Sequence, residues 1–154
     1  AQLYRIVLKT IKHEASLTER KQLLAKALMV LIIIEDINSL DGFAAETRGH
    51  IIVENADIAA DNWQEQAVNE YKKALSLRPR QFRARVALVK LLEQNEQLDE
   101  AVKLINGGLN YNYRGNLSGV DEYYRYSVKL NLMNGDTIKA RQIQLDQGLL
   151  KLNQ

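Results

Sequence analysis

Only two His and no Cys occur in the 154 residues, so the side chains that most often act as nucleophiles, general bases and metal ligands are nearly missing. Without Cys there is no disulfide, thiolate zinc site or thiol nucleophile. His13-Glu14-Ala15-Ser16-Leu17 begins like a zinc-peptidase signature, but that signature needs a second His one helical turn after the first, and Leu17 stands there instead. No Gly-rich phosphate loop follows a strand, and Asn106-Gly107-Gly108 reads as a helix C-terminal signal. Ser16 reads as a helix cap rather than a nucleophile. The carboxylate pairs Glu35-Asp36 and Asp99-Glu100 are adjacent in sequence, point in different directions on a helix and are expected on solvated surface. The expectation is a chain with no catalytic residue, no metal site and no cofactor, and not an enzyme.

Charge and aromatic placement point to binding instead. The balance of 21 basic and 19 acidic residues is too even for global attraction to nucleic acid or a membrane surface. Locally, however, Lys72, Lys73, Arg78, Arg80, Arg83, Arg85 and Lys90 lie between Tyr71 and Leu92 without one Asp or Glu. These are either solvated helix faces, some of them favoured near a helix C-terminus by the macrodipole, or a surface for an acidic partner. Five of the seven Tyr fall between Tyr111 and Tyr126. Tyr123, Tyr124 and Tyr126 occupy one helical turn and cannot all face a core, so at least one belongs at a groove or interface. Interleaving with Arg114 and Arg125 would suit base stacking, but near-neutral charge and the lack of an RNA-binding signature argue against nucleic acid.

The elements that must position these residues are helical. A 46% hydrophobic content is enough for a core, while one Pro and eight Gly leave few breaks, and the apolar period is close to 3.6. Helices are expected over residues 2–13, 17–37, 43–59, 63–77, 81–94, 97–110, 120–133 and 136–151. Leu3, Val7 and Ile11 stripe the first, and Ser16 with Glu19 forms a capping box for the second. The stretch Leu28 to Ile34 is apolar all round, which predicts cover on more than one side. If the N-terminal hairpin meets only one neighbour, part of that face is left for another chain or a second copy. The longest uncharged apolar run, Ala27 to Ile34, is 8 residues, whereas a membrane span needs about 20. The start at Ala1-Gln2 fits a processed secreted protein or a trimmed chain, and a bacterial cytoplasm or periplasm is equally compatible with the lack of Cys.

Self-similarity organises the rest. Ala67, Tyr71 and Ala74 are matched 34 residues later by Ala101, Ile105 and Gly108, and Gly135 to Ala140 begin a weaker third copy displaced by 39. The stretch from Ala67 to Pro79, with small, bulky and small residues at offsets zero, four and seven and the Pro at offset twelve, resembles the second helix of a tetratricopeptide repeat. Gly49 and Ala67 are 18 apart, which implies roughly six inserted residues around Asp57 to Asn62, and Arg114 to Gly119 reads as a longer loop. Gln144 and Gln147 suit the wetter face of a terminal repeat.

The resemblance implies an all-α, right-handed α-solenoid of about eight helices in antiparallel hairpins. It would form a single helical-repeat domain, with residues 1–42 a degenerate or non-repeat hairpin and residues 43–154 about three repeats. It also implies a non-catalytic scaffold that holds a partner protein or peptide on its concave face. On that analogy Arg83 and Lys90 share a face with Arg125 and Lys129, and these four, with Tyr123, are the candidate contacts for an acidic peptide. The chain does not reproduce the Lys and Asn pattern of the family's chaperone-tail clamp. A rival reading is an accessory domain of a larger bacterial envelope enzyme, since Glu46 to Asn55 followed by the repeat helices is similar to helical-repeat tails of zinc metallopeptidases.

Overall fold

The computed structural model describes residues 11, 16–38, 42–111 and 117–152, with the side chains of 117, 118 and 148–152 excepted. The helix expected over 2–13, apart from Ile11, and the loop residues 114–116 lie outside the described residues. Seven helices and no strand occur among the described residues: α1 Leu17–Ile37, α2 Phe43–Glu54, α3 Trp63–Leu77, α4 Phe82–Gln94, α5 Leu98–Gly108, α6 Leu117–Met133 and α7 Thr137–Leu152. Ser16 caps α1, its Oγ accepting from the Glu19 N–H at 3.5 Å.

Two boundaries differ from the periodicity by three residues or more. Helix α2 stops five residues short of 59 because Asn55 turns back on it, its Nδ2 donating to the Ile51 carbonyl at 2.8 Å and its N–H to that of Ile52 at 3.2 Å. The connection that follows holds the inserted residues and buries Ile58. Helix α6 begins at Leu117, so the end of the expected loop is helical. The chain divides after Pro79 into two compact units, residues 1–79 and 80–154. The proline that ends α3 therefore also marks the division, since it cannot continue a helix.

In the first unit α2 packs against α3 and against α1. The closest approach is at Gly49, where an added Cβ would lie 2.7 Å from the Tyr71 ring. Tyr71 is fully buried, and its hydroxyl meets His50 Nδ1 at 2.9 Å. Ala67 and Ala74, at the small positions of the repeat pattern, are buried beside it. A second cluster of Ile11, Leu24, Leu31, Ile51 and Ile58 fixes α1 to α2, with Leu23 and Leu28 partly buried against it.

Arg48 on α2 is buried between three helices. Its Nη1 donates to the Leu31 carbonyl at 3.1 Å, and its Nη2 to Glu35 at 2.8 Å and Glu70 at 2.7 Å. Lys73 on α3 also reaches Glu35, at 2.8 Å. The expectation that Glu35-Asp36 is solvated therefore fails for Glu35, which is 7% exposed. A buried carboxylate is tolerated when opposite charges and hydrogen bonds replace water, and Arg48 and Lys73 do so here. Burial acts to raise the Glu35 carboxyl, but the bonds and charges of Lys73 and Arg48 together outweigh it and leave the group below its ordinary value.

In the second unit α4 packs on α5, α6 on α7, and α6 also on α4 and α5. Leu88, Val89, Leu92, Ile105, Tyr123, Leu130 and Ile143 form its interior. Asn106 and Asn131 bridge α5 to α6 through reciprocal amide bonds of 2.9 Å each. The buried Tyr123 hydroxyl donates to the Ile105 carbonyl. Gly108 leaves it room to do so, because an added Cβ there would sit 2.1 Å from that hydroxyl and 2.6 Å from the Arg85 side chain. Gly108 is thus a contact residue as well as a helix-end residue.

Two expectations follow. Gly108→Ala destabilises the fold by about 1–3 kcal/mol in urea titration through overpacking against Tyr123, whereas Gly107→Ala, where an added Cβ meets nothing, is neutral or stabilising by up to about 1 kcal/mol. Adding Tyr123→Phe to Gly108→Ala recovers part of the loss, and a strictly additive double variant contradicts this packing. Because the Glu35 pKa is depressed by folding, its stabilisation is present above the unfolded value near 4.5 and is lost as pH falls through the folded value. Glu35→Gln is accordingly less stable than wild type at pH 7, by about 1–3 kcal/mol, and its stability falls less steeply in acid, as thermal melts from pH 7 to pH 3 will read.

Candidate functional site

One face of the second unit gathers some of the charged and aromatic side chains singled out in the sequence. Helical spacing places Arg83, Lys90 and Glu93 along one side of α4, and Glu122, Arg125, Tyr126 and Lys129 along one side of α6. The two helices pack side by side, so these rows face each other. Lys90 donates to Glu122 at 3.2 Å, and Lys129 donates to Glu93 at 2.7 Å. Tyr126 donates its hydroxyl to the other oxygen of Glu93. Its ring lies between the two lysines, with the Lys90 ammonium 5.6 Å and the Lys129 ammonium 5.1 Å from the centroid.

These contacts set the protonation states. Hydrogen bonds from Lys129 and then Tyr126 hold the Glu93 carboxyl below its ordinary value, so it is ionised at neutral pH. Burial, and then the bond to Glu93, push the Tyr126 hydroxyl up, so it remains a donor. The cluster is a stable polar clasp between α4 and α6, with both acids on its own face compensated.

The five expected contact residues separate into three kinds. Tyr123 is a correction: it is fully buried, with its ring edge-on to Tyr124 at 6.3 Å between centroids, and is held by the Ile105 carbonyl. It packs the helices and presents nothing to a partner; Tyr126, three residues on, has the half-buried position expected of an interface ring. Lys90 and Lys129 lie on the expected face but are already paired with carboxylates of their own chain. Arg83 and Arg125 are exposed and pair with no carboxylate among the described residues, Arg83 lying 6.0 Å from the Phe82 ring centroid.

The basic run is not one surface. Lys73 is spent on Glu35, and Arg85 is buried with Nη1 on the Leu104 carbonyl at 3.1 Å and its guanidinium 5.5 Å from the Tyr111 ring centroid. Sequence reading missed Glu93 and Glu122 as members of the face, and from the tyrosine cluster it chose Tyr123 where Tyr126 takes the place. The available signal was the i, i+3, i+7 register of Glu122, Arg125 and Lys129, read together with Tyr126 rather than Tyr123. Among the described residues no group of three or more His, Asp or Glu is placed to hold a metal ion, and no helix is long and apolar enough to cross a membrane.

The described helices define an all-α protein built from antiparallel helix hairpins. Residues 64–114, from α3 through α5, match the family model described as "Tetratricopeptide repeat", so the resemblance carried by Ala67, Tyr71, Ala74 and Pro79 holds over that stretch. No curated relative matches the chain in sequence. Among solved structures it is similar to "MamA RS-1 ArsTM double mutant" at 14% identity, with 99% of this chain and 94% of that one covered and a TM-score of 0.48. It is also similar to "MamA 41-end from Desulfovibrio magneticus RS-1" at 17% identity, with 99% and 96% covered and a TM-score of 0.46.

Tyr126→Phe removes one of the two bonds that depress Glu93, so the Glu93 titration midpoint rises toward the ordinary carboxylate value. Carbon-detected NMR of the side-chain carboxyl reads this directly, and an unmoved midpoint means that Lys129 alone sets it.

Proposed function

We propose that this chain is a non-catalytic protein-interaction scaffold whose α4–α6 face takes an acidic segment of a partner protein or peptide. The repeat match over residues 64–114 supports the scaffold reading, because stacked hairpins display side chains at regular intervals and let a few positions set specificity. The observation that carries the acidic ligand is the pair Arg83 and Arg125. Both are exposed, and neither is neutralised by a carboxylate among the described residues, while the acids on the same face are occupied by Lys90, Lys129 and Tyr126.

An extended peptide lying along α4 and α6 would place its carboxylates against those two guanidinium groups, which offer bidentate donors. Lys90 and Lys129 contribute field from behind their own carboxylates, and the Tyr126 ring supplies contact area at low entropic cost. The expected affinity is modest and salt-dependent, because exposed ion pairs contribute little individually and are screened.

Fluorescence anisotropy with a labelled hexaglutamate peptide at low salt tests this. Arg83→Glu with Arg125→Glu weakens binding at least about tenfold, or about 1.4 kcal/mol. Lys139→Glu with Arg141→Glu, two exposed cations on α7, changes it much less. Unchanged binding by the first variant with its helical circular dichroism intact removes the assignment of this face.

A further inference from the structure

Helix α1 carries an apolar surface that the described residues of the first unit leave uncovered. Its inner side is settled by Leu24 and Leu31 in the cluster with Ile11, Ile51 and Ile58, and by Glu35 on Arg48. On the opposite side, Met29, Val30, Ile33 and Ile37 form a stripe at helical spacing, flanked by Ile32 and Ile34. Met29 is 63% exposed, Ile33 49% and Ile37 81%. The expectation that Leu28 to Ile34 is covered on more than one side is thus met on one side only. Isolated exposed apolar residues are ordinary, but six contiguous ones on one helix mark an interaction site.

We infer that the occupant is a second copy of this chain, with α1 packed antiparallel on α1 across a two-fold axis. Two charges beside the stripe decide its direction of pairing and suit it to a copy of itself. Lys26 stands one turn before Met29 and Asp36 lies next to Ile37, both exposed and neither paired among the described residues. A two-fold interface must be self-complementary, so that if residue i meets residue j then j meets i. Antiparallel pairing centred on Leu31 places Met29 against Ile33 of the copy and Lys26 against Asp36 of the copy, each pair occurring twice. Parallel pairing would set Lys26 against Lys26 and Asp36 against Asp36. The stripe therefore complements itself in one direction and opposes itself in the other. Its β-branched side chains are already restricted at χ1, so packing them loses little further freedom.

Sedimentation velocity of the full chain from about 2 to about 200 μM, a range spanning the weak dimers expected of one helix pair, tests the inference. Wild type shifts from monomer to dimer across the range, and Ile33→Asp stays monomeric with unchanged helicity, since residue 33 is exposed in the monomer. Lys26→Asp and Asp36→Lys each raise the dissociation constant by about tenfold or more, and the two together restore dimerisation. A monomer at every concentration overturns the inference, as does a dimer indifferent to Ile33→Asp. A monomer that co-sediments with phosphatidylcholine–phosphatidylglycerol vesicles also overturns it and assigns the stripe to a lipid surface.

Discussion

The structure depends on close approach of helices at residues too small to hold them apart. Tyr71 lies where a Gly49 side chain would begin, and Tyr123 has its hydroxyl where a Gly108 side chain would begin. Ala67, Ala74, Ala84 and Ala101 are fully buried in the same layers. A ring placed over a glycine fills the gap completely and brings the two helix backbones near enough for side-chain to main-chain bonds, as from Tyr123 to Ile105. Everything presented on the outer faces, including the opposed rows of α4 and α6, takes its register from that packing.

Part of the charge is consumed inside the molecule. The near-even total hides the buried pair Arg48 and Glu35 with Glu70 and Lys73 at its edge, and a surface clasp of Lys90, Glu122, Glu93 and Lys129. This group acts chiefly on arrangement: an ion pair removed from water gains little over an apolar core, but losing one member leaves a charge stranded, so packings of α1, α2 and α3 that separate Arg48 from Glu35 are disfavoured. Lys73, Arg85 and Lys90 of the basic run are engaged with groups of their own chain, whereas Arg83, and Arg125 outside the run, pair with no carboxylate among the described residues.

Local patterns made much of the fold legible. The period of the apolar residues located α1 and α3 to the residue, and the 34-residue echo with Pro79 identified the stretch that matches the repeat family. What was hidden depended on contacts between elements. Nothing near Glu35 announces that Arg48, 13 residues away on another helix, will bury it. The order of Tyr123, Tyr124 and Tyr126 does not reveal that the core takes the first two rings and leaves the third half-exposed, since all lie in one turn and the choice follows from which helices α6 packs against. The early end of α2 rests on Asn55 hydrogen-bonding back to Ile51, a side-chain bond that competes with helix continuation. The apolar run of α1 implied cover on more than one side, because sequence shows composition around a helix but not how many neighbours it meets.

We propose the α4–α6 face as the place where this chain meets an acidic partner. The most direct measurement is a 1H–15N correlation spectrum of the full chain titrated with unlabelled hexaglutamate peptide. Shifts that saturate and gather at Arg83, Lys90, Arg125, Tyr126 and Lys129, with α5 and α7 largely still, are the predicted result. Shifts absent at high peptide concentration, or concentrated away from α4 and α6, would contradict it.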